Sequence, residues 1–221
     1  YGADGLELDF CFDNFYFKQK DISDRIPYMN QFVARIRKLA TEIGTRQGRK
    51  IPLMARVHLQ ETDNLAIGLD VDSWLAEESI DWVVGQDSNI LVDTGIQAPW
   101  LATAASKSGK AAYYRPPRRI YDERASLPTV EMYRALSQTL LKQEYKGMYL
   151  GYLPWPFAER EYQILRETGH PKAHVRSDKQ YVLQPREGGP DGTSTTPERQ
   201  VPVRLAENQP IILEITVADD I

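Results

Sequence analysis

The feature that most restricts the fold of this 221-residue sequence is a regular alternation of strand-like and helix-like segments. The first strand lies within residues 6–12, where apolar side chains alternate strictly with others, as in a strand with one covered face. Further strands are predicted at residues 51–58, 80–85, 110–115 and 147–153, with helices between them. Strands joined by crossover helices run parallel, so the pattern predicts an α/β fold with a parallel sheet.

The strongest helix signal follows the first strand. Apolar residues recur every three or four positions from Ile26 to Ile43, which predicts an amphipathic helix. Ser23 or Asp24 is predicted to cap its N-terminus, and Gly44 is predicted to end it.

Shorter helices are predicted further along the chain. A polar loop at residues 60–68 precedes a short helix capped by Asp70 or Asp72, and another helix spans residues 99–108. Pro128 and Thr129 begin a fourth helix.

Two architectures with a parallel sheet fit this alternation of strands and helices: a doubly wound sheet and a (β/α)₈ barrel. No glycine-rich phosphate loop follows any predicted strand, so dinucleotide binding has no support. Polar residues collect at the predicted strand ends, which form one functional rim in a barrel. Because five strands are predicted where a barrel needs eight, residues 1–157 are interpreted as strands four to eight of a partial (β/α)₈ barrel.

The remainder, residues 158–221, is interpreted as a separate helix plus a small β-rich segment. A helix is predicted at residues 158–168, and residues 185–197 form a loop rich in Gly, Pro, Ser and Thr. Short strands are predicted at residues 179–183, 200–205 and 210–217.

Composition excludes several classes of function. Apolar residues make up 42% and charged residues 26% of the sequence, as in ordinary soluble domains. A net charge of −4 argues against nucleic acid or an anionic membrane as a partner. No apolar run approaches the ~20 residues of a membrane span, and no signal peptide is visible. The single Cys11 excludes an internal disulfide, and a start at Tyr1 rather than Met suggests a fragment or a processed form.

The candidate catalytic residues are carboxylates at predicted strand ends. Glu7 and Asp9 share one face of the first strand, and they are candidates for the acid/base and nucleophile of a glycosidase. Neighbours on one face lie about 6.5–7 Å apart at the backbone, which distinguishes neither a retaining nor an inverting enzyme. Alternatively, one of them pairs with Arg56 and only orders the rim. Asp87 is a candidate second carboxylate, or else a turn residue.

The candidate substrate-binding residues are basic and aromatic. Arg56 and His58 could hold a hydroxyl or a carboxylate, or form a structural ion pair. Arg115 is interpreted as an anion-recognition residue or part of a solvated loop. Trp155 and Tyr16 are candidates for stacking on a sugar ring, with a core tryptophan as the alternative for Trp155.

Two other chemistries are alternatives. Asp9, Asp13, His58 and Asp87 offer metal ligands, but no metal-binding spacing such as His-x-His supports them, so no metal and no cofactor are predicted. Ester hydrolysis lacks a Gly-x-Ser-x-Gly motif, but it stays open because catalytic triads are set by geometry.

Several motifs resemble those of one family. Residues 2–10, Gly-Ala-Asp-Gly-Leu-Glu-Leu-Asp-Phe, resemble the fourth-strand motif of uncharacterised bacterial glycoside-hydrolase-like (β/α)₈ barrels. The resemblance continues, in order and spacing, through residues 51–57, 68–75, 80–84, 133–136, 147–152, 178–183 and 217–221. It implies polysaccharide hydrolysis, a β-domain after the barrel and export to the periplasm or outside the cell. Members of the family carry a complete barrel, and here its first part is absent.

Together these observations predict a glycoside-hydrolase-like hydrolase that acts on a carbohydrate through carboxylate catalysis. The alternative is a non-catalytic carbohydrate-binding or interaction module built on the same rim. Because a partial barrel has open sheet edges, the chain is also predicted to form a homo-oligomer, most simply a dimer.

Overall fold

The computed structural model describes residues 2–12, 16–86, 92–120, 127–151, 153–168, 170, 176–183, 210–215 and 217–219. Its contacts divide the chain into two compact units. The sheet unit comprises Tyr1–Gln86, Ala98–Tyr114 and Glu144–Lys146. The second, the helical unit, comprises Asp87–Gln97, Arg115–Gln143 and Gly147–Ile221.

The sheet unit is built on a sheet of four strands. These are β1 (Leu6–Asp9), β2 (Leu53–His58), β3 (Trp82–Gln86) and β4 (Ala111–Arg115), in the order β1-β2-β3-β4. β1 pairs in parallel with β2, and β2 pairs in parallel with β3. The predicted α/β class is therefore confirmed, and the first four predicted strands lie where the sequence places them.

One face of this sheet is covered by helices. Leu53, Ala55 and Val57 of β2 are fully buried on this face. A Cβ on Gly85 would lie 2.8 Å from the Cδ atoms of both Leu59 and Leu101, so a larger residue here would require these side chains to move.

Helix α1 (Ile22–Gln47) starts and ends differently from the prediction. Asp21, rather than Ser23 or Asp24, occupies the N-cap position, after a short 3₁₀ helix at Gln19–Asp21. Gly44 does not end the helix, because the returning chain folds over it and Arg49 N donates a 3.0 Å hydrogen bond to its carbonyl. The end comes at Gly48, whose positive φ of 66° suits glycine.

Three shorter helices complete the sheet unit: α2 (Glu61–Leu65), α3 (Val71–Ala76) and α4 (Pro99–Lys107). α2 lies within the predicted loop at residues 60–68, so that prediction was wrong. The α3 cap is confirmed as Asp70, which accepts hydrogen bonds from Ser73 N at 3.1 Å and Ser73 Oγ at 2.6 Å.

A carboxylate joins elements at the opposite end of the sheet from the strand C-termini. Asp81 accepts hydrogen bonds from Leu53 N at 2.7 Å and from Arg37 Nη2 at 2.5 Å, and it also pairs with Lys50. Arg37 in turn donates to the carbonyls of Ser79 and Ile51. This cluster ties α1 to the starts of β2 and β3.

The helical unit contains α5 (Val130–Lys142) and α6 (Glu159–Thr168). α5 begins where Pro128 and Thr129 predicted a helix, and the Thr129 hydroxyl caps it by accepting a hydrogen bond from Met132 N at 3.3 Å. Arg134 of α5 binds both carboxylate oxygens of Glu167 of α6, at 2.5 and 2.9 Å. Because Arg134 is only 9% exposed, this bidentate pair fixes the two helices against each other.

Several predicted strands are wrong. Residues 147–151 contain only an isolated bridge at Met148 rather than a fifth strand. Residues 179–183 are not a strand, because their backbone groups bond to single partners: Gln180 N donates to the Glu131 carbonyl, and Val182 N donates to Thr94 Oγ1. Residues 210–215 are exposed and form no strand. The predicted strand at 200–205 and loop at 185–197 lie outside the described residues.

Across the described part of the chain, none of the helices combines the length and apolarity that a membrane crossing requires.

Candidate functional site

The candidate site lies on the face of the sheet opposite the α3 and α4 helices, towards the C-terminal ends of the strands. Asp9 of β1 is in register with Arg56 of β2, and Glu7 is in register with Met54. Residues in register on parallel strands point to the same face, so the register places both carboxylates beside Arg56. Parallel α/β proteins use this end of the sheet for ligands.

Arg56 holds the two carboxylates together. Its Nε donates to Asp9 Oδ1 at 3.0 Å, and its Nη2 donates to Asp9 Oδ2. The same Nε lies 3.5 Å from Glu7 Oε1. The side chain of Arg56 is 16% exposed, and those of Glu7 and Asp9 are each 30% exposed, so the cluster is partly desolvated yet open to a ligand. The alternative of a pair between one acid and Arg56 is thus observed for Asp9.

A groove of about 540 Å³ adjoins this cluster. It is lined by both acids and by residues that are largely apolar or aromatic: Leu8, Phe10, Tyr16, Phe17, Tyr28, Met29 and Phe32. Its volume falls in the range of about 300–1,000 Å³ that is typical of small-molecule sites. The groove follows the edge of the sheet at β1: Leu8, Phe10 and the α1 residues belong to the helix-covered face, and Glu7 and Asp9 reach the groove from the other face.

The aromatic side of the groove is anchored in the core. Phe10 is buried, and its ring lies 5.8 Å from Tyr16 in an edge-to-face arrangement and 5.1 Å from Trp74 of α3. Phe17 packs against Gly68, where an added Cβ would come within 2.9 Å of its ring. These contacts hold Tyr16 and Phe17 beside the acids.

His58 ends β2 on the same face as Arg56. It is 4% exposed, and burial lowers its pKa from 6.5 to about 4, so the imidazole is neutral at neutral pH. The cluster of Glu7, Asp9, Arg56 and His58 therefore combines two carboxyl groups, one guanidinium and one neutral imidazole.

Asn64 holds the end of β2 in place, a role that no sequence pattern predicted. Its Oδ1 accepts from His58 N at 3.0 Å, and its Nδ2 donates to the carbonyls of His58 and Gln60, each at 2.8 Å. Asn64 is 1% exposed, so its side-chain amide makes buried hydrogen bonds to the His58 backbone of the kind that a neighbouring strand makes. Tyr28 and Phe32 were likewise missed as groove residues: Phe32 belongs to the predicted apolar stripe of α1, and Tyr28 lies outside that stripe.

The first strand is less covered than predicted. Phe10 is 4% exposed, but Leu6 is 45% and Phe12 is 93% exposed. β1 is an edge strand of the described sheet, so residues near its ends lack neighbours on one side.

The remaining candidates are elsewhere in the structure or outside it. Arg115 and Trp155 belong to the helical unit, where Arg115 is 6% and Trp155 is 81% exposed. The core alternative for Trp155 is therefore excluded. Asp87 and Asp13 lie outside the described residues. Within the described part of the chain, no three His, Cys, Asp or Glu residues are grouped so as to hold a metal ion.

Comparison with known proteins gives no relative: no protein-family model matches the chain, and no curated protein is found to be similar to it.

Proposed function

We propose that this protein is a glycoside-hydrolase-like enzyme that binds a carbohydrate in the groove beside Glu7 and Asp9. The observation that carries this proposal is the meeting of two carboxylates and five aromatic side chains in one groove at the C-terminal end of β1. Aromatic rings suit the apolar faces of sugars, while carboxylates supply acid/base chemistry.

The charge of the cluster supports the same chemistry. Glycoside hydrolysis passes through an oxocarbenium-like transition state, in which positive charge develops on the sugar ring. A carboxylate in a partly desolvated site stabilises that developing charge more than it stabilises a neutral substrate. We assign Glu7 as the general acid/base, and Asp9, held by Arg56, as the nucleophile or electrostatic stabiliser.

The distances to Arg56 bear on the stereochemical outcome. Glu7 Oε1 and Asp9 Oδ1 share Arg56 Nε as a neighbour, so they lie at most about 6.5 Å apart, the sum of 3.5 and 3.0 Å. Retaining glycosidases separate their carboxyl groups by ~5–5.5 Å and inverting ones by ~6.5–9.5 Å. This limit on one oxygen of each acid is compatible with both separations, so it favours neither outcome.

The sheet is proposed to be part of a (β/α)₈ barrel. Its strands follow one another in chain order without the reversal that a doubly wound sheet has. Phe10 meets Trp74 of α3, and Gly85 meets Leu101 of α4, so these helices cover one face while the acids occupy the other. A barrel has this arrangement, with helices outside and the site at one rim.

A non-catalytic carbohydrate-binding module is the second candidate. Both oxygens of Asp9 accept from the Arg56 guanidinium, which weakens that carboxylate as a nucleophile. The same groove would then bind a sugar without cleaving it.

A panel of chromogenic glycosides and esters, combined with calorimetric binding of oligosaccharides, tests the proposal. We expect hydrolysis of at least one glycoside, and loss of that hydrolysis in Glu7→Gln but not in the matched control Glu42→Gln, an exposed acid on α1. Binding without turnover of any glycoside would favour the module. Turnover of esters alone would overturn both carbohydrate proposals.

A further inference from the structure

A second group of aromatic side chains lies in the helical unit, outside the groove. Trp155 is 81% exposed and Tyr162 of α6 is 48% exposed, with Phe157 between them in sequence. We call these three residues the aromatic platform. Exposing an indole to this extent forgoes the burial that normally stabilises it, which points to a binding role.

The rings of the platform are in contact with one another. The Trp155 and Phe157 centroids are 5.2 Å apart at 68°, and those of Phe157 and Tyr162 are 5.8 Å apart at 88°. Such edge-to-face packing fills the space between the rings, so they do not form a cage around a cation. The surface that remains for a ligand is the outer face of Trp155 and the exposed part of Tyr162.

The start of α6 is held in place beneath the platform. Glu161 is 5% exposed and accepts from Ala158 N at 3.0 Å, as in a capping box. Arg160 binds both Glu161 and the carbonyl of Pro128. A ligand would therefore meet a preformed surface, which lowers the entropic cost of binding.

The charged residues near the aromatic platform favour a sugar over a nucleobase as its ligand. Exposed Glu159 and Arg166 of α6 pair with each other at 2.5 Å, and Arg160 is paired with Glu161. Nucleobase-stacking surfaces are accompanied by a surplus of positive charge that follows the phosphates, which these balanced pairs do not supply. They do offer hydrogen-bond donors and acceptors to an uncharged ligand rich in hydroxyl groups.

We propose that the aromatic platform is a second carbohydrate-binding surface, on which the apolar face of a sugar ring in a neutral oligosaccharide stacks against Trp155. The inference takes its ligand class from the proposed function, but it depends on neither Glu7 nor Asp9.

Isothermal titration calorimetry with neutral oligosaccharides of glucan, xylan, mannan and chitin tests this inference on the full chain. We expect Trp155→Ala to weaken binding about tenfold or more and Tyr162→Ala to weaken it by a smaller factor. Trp155→Phe, which keeps an aromatic face, should retain much of the affinity. The matched control is Leu165→Ala, an exposed apolar residue of α6 outside the platform, which should bind as the wild type does.

Three results would overturn the platform: no oligosaccharide of the panel binds, Trp155→Ala binds as tightly as the wild type, or Leu165→Ala loses as much affinity as Trp155→Ala. The outcome is separable from that of the proposed function. Loss of glycoside hydrolysis in Glu7→Gln with unchanged binding by Trp155→Ala would support the groove and overturn the platform. Absence of any hydrolysis, with binding that depends on Trp155, would support the platform and overturn the enzyme.

Discussion

Replacing Asp81 by Asn should destabilise the sheet unit, because this one carboxylate joins three donors. It receives Leu53 N at 2.7 Å and Arg37 Nη2 at 2.5 Å, and it pairs with Lys50. Leu53 N and Arg37 Nη2 both bond to Oδ2 and Lys50 to Oδ1, so Asn leaves Lys50 without an acceptor and removes the charge that compensates the largely buried Arg37 guanidinium.

The size of the effect follows from the exposure of each partner. The Asp81 and Arg37 side chains are 10% and 18% exposed, so their charge-assisted contact is worth about 1.5–3 kcal/mol, and the Leu53 amide adds about 1 kcal/mol. Lys50 is 73% exposed and contributes little. Since Arg37 keeps the carbonyls of Ser79 and Ile51, we expect a total loss of about 2–4 kcal/mol.

Urea unfolding followed by circular dichroism at neutral pH measures this loss. The matched control is Asp4→Asn, since Asp4 also pairs with an arginine, Arg49, but its side chain is 99% exposed. The control should unfold at the wild-type urea concentration. A loss below about 1 kcal/mol in Asp81→Asn would show that the carboxylate does not hold the strands together.

The pH dependence of this difference provides a second check. Burial alone would raise the Asp81 carboxyl pKa, but hydrogen bonds from Lys50, Leu53 and Arg37 outweigh it and hold the pKa below its ordinary value of 3.8. The folded state therefore favours the ionised form, whose contribution is complete above pH 3.8 and is lost as the pH falls through the lower folded pKa. The gap between the wild type and Asp81→Asn should close in that acid range, and a gap that persists there would contradict the role of charge.

Three further predictions concern the site and the assembly. Burial lowers the His58 pKa from 6.5 to about 4, so between these pH values the unfolded chain binds a proton that the folded protein does not. The free energy of unfolding should therefore fall by about 3 kcal/mol from pH 6.5 to pH 4. In His58→Gln, the free energy of unfolding measured with urea should depend less on pH over this interval. Asn64→Ala should lower the free energy of unfolding by about 2–4 kcal/mol, because buried backbone groups at the end of β2 lose their hydrogen-bond partner. A loss within the error of urea unfolding would contradict this role of Asn64. Sedimentation velocity at micromolar concentration should detect a dimer that Leu6→Glu dissociates at the β1 edge, and a monomeric wild type would refute this assembly.

Much of the sheet unit could be predicted from local sequence patterns. The alternation over residues 53–58 is found as β2, whose buried face packs against its neighbours. The predicted helical stripe is found as α1, where Met29, Val33 and Ala40 are buried while Phe32, Leu39 and Ile43 are exposed. Asp70 and Thr129 cap the helices that the sequence assigned to them, because capping depends only on atoms a few residues apart.

The predictions that were wrong concern segments whose structure depends on contacts with residues distant in the sequence. Residues 147–151 and 179–183 have strand-like patterns but no adjoining strand among the described residues; Val182, for example, bonds to Thr94 instead. Gly44 is suited to end a helix, but α1 continues to Gly48, and the chain after Gly48 turns back so that Arg49 N bonds to the Gly44 carbonyl. Local propensity cannot specify contacts of this kind.

The candidate site was predictable only in part, for the same reason. The shared face of Glu7 and Asp9 follows from strand alternation, and the pairing with Arg56 requires only one strand register. The groove could not be predicted, because it joins Tyr16, Tyr28 and Phe32 from segments whose packing is set by tertiary contacts.

The most direct test of the central claim is the hydrolysis rate of the best glycoside substrate by the wild type and by Glu7→Gln, with Glu42→Gln as the control. General acid/base catalysis contributes about 10²–10⁴-fold, so kcat/KM should fall by that factor in Glu7→Gln while the circular dichroism spectrum and Glu42→Gln activity stay unchanged. Equal rates for Glu7→Gln and the wild type would contradict the assignment of the groove as the catalytic site.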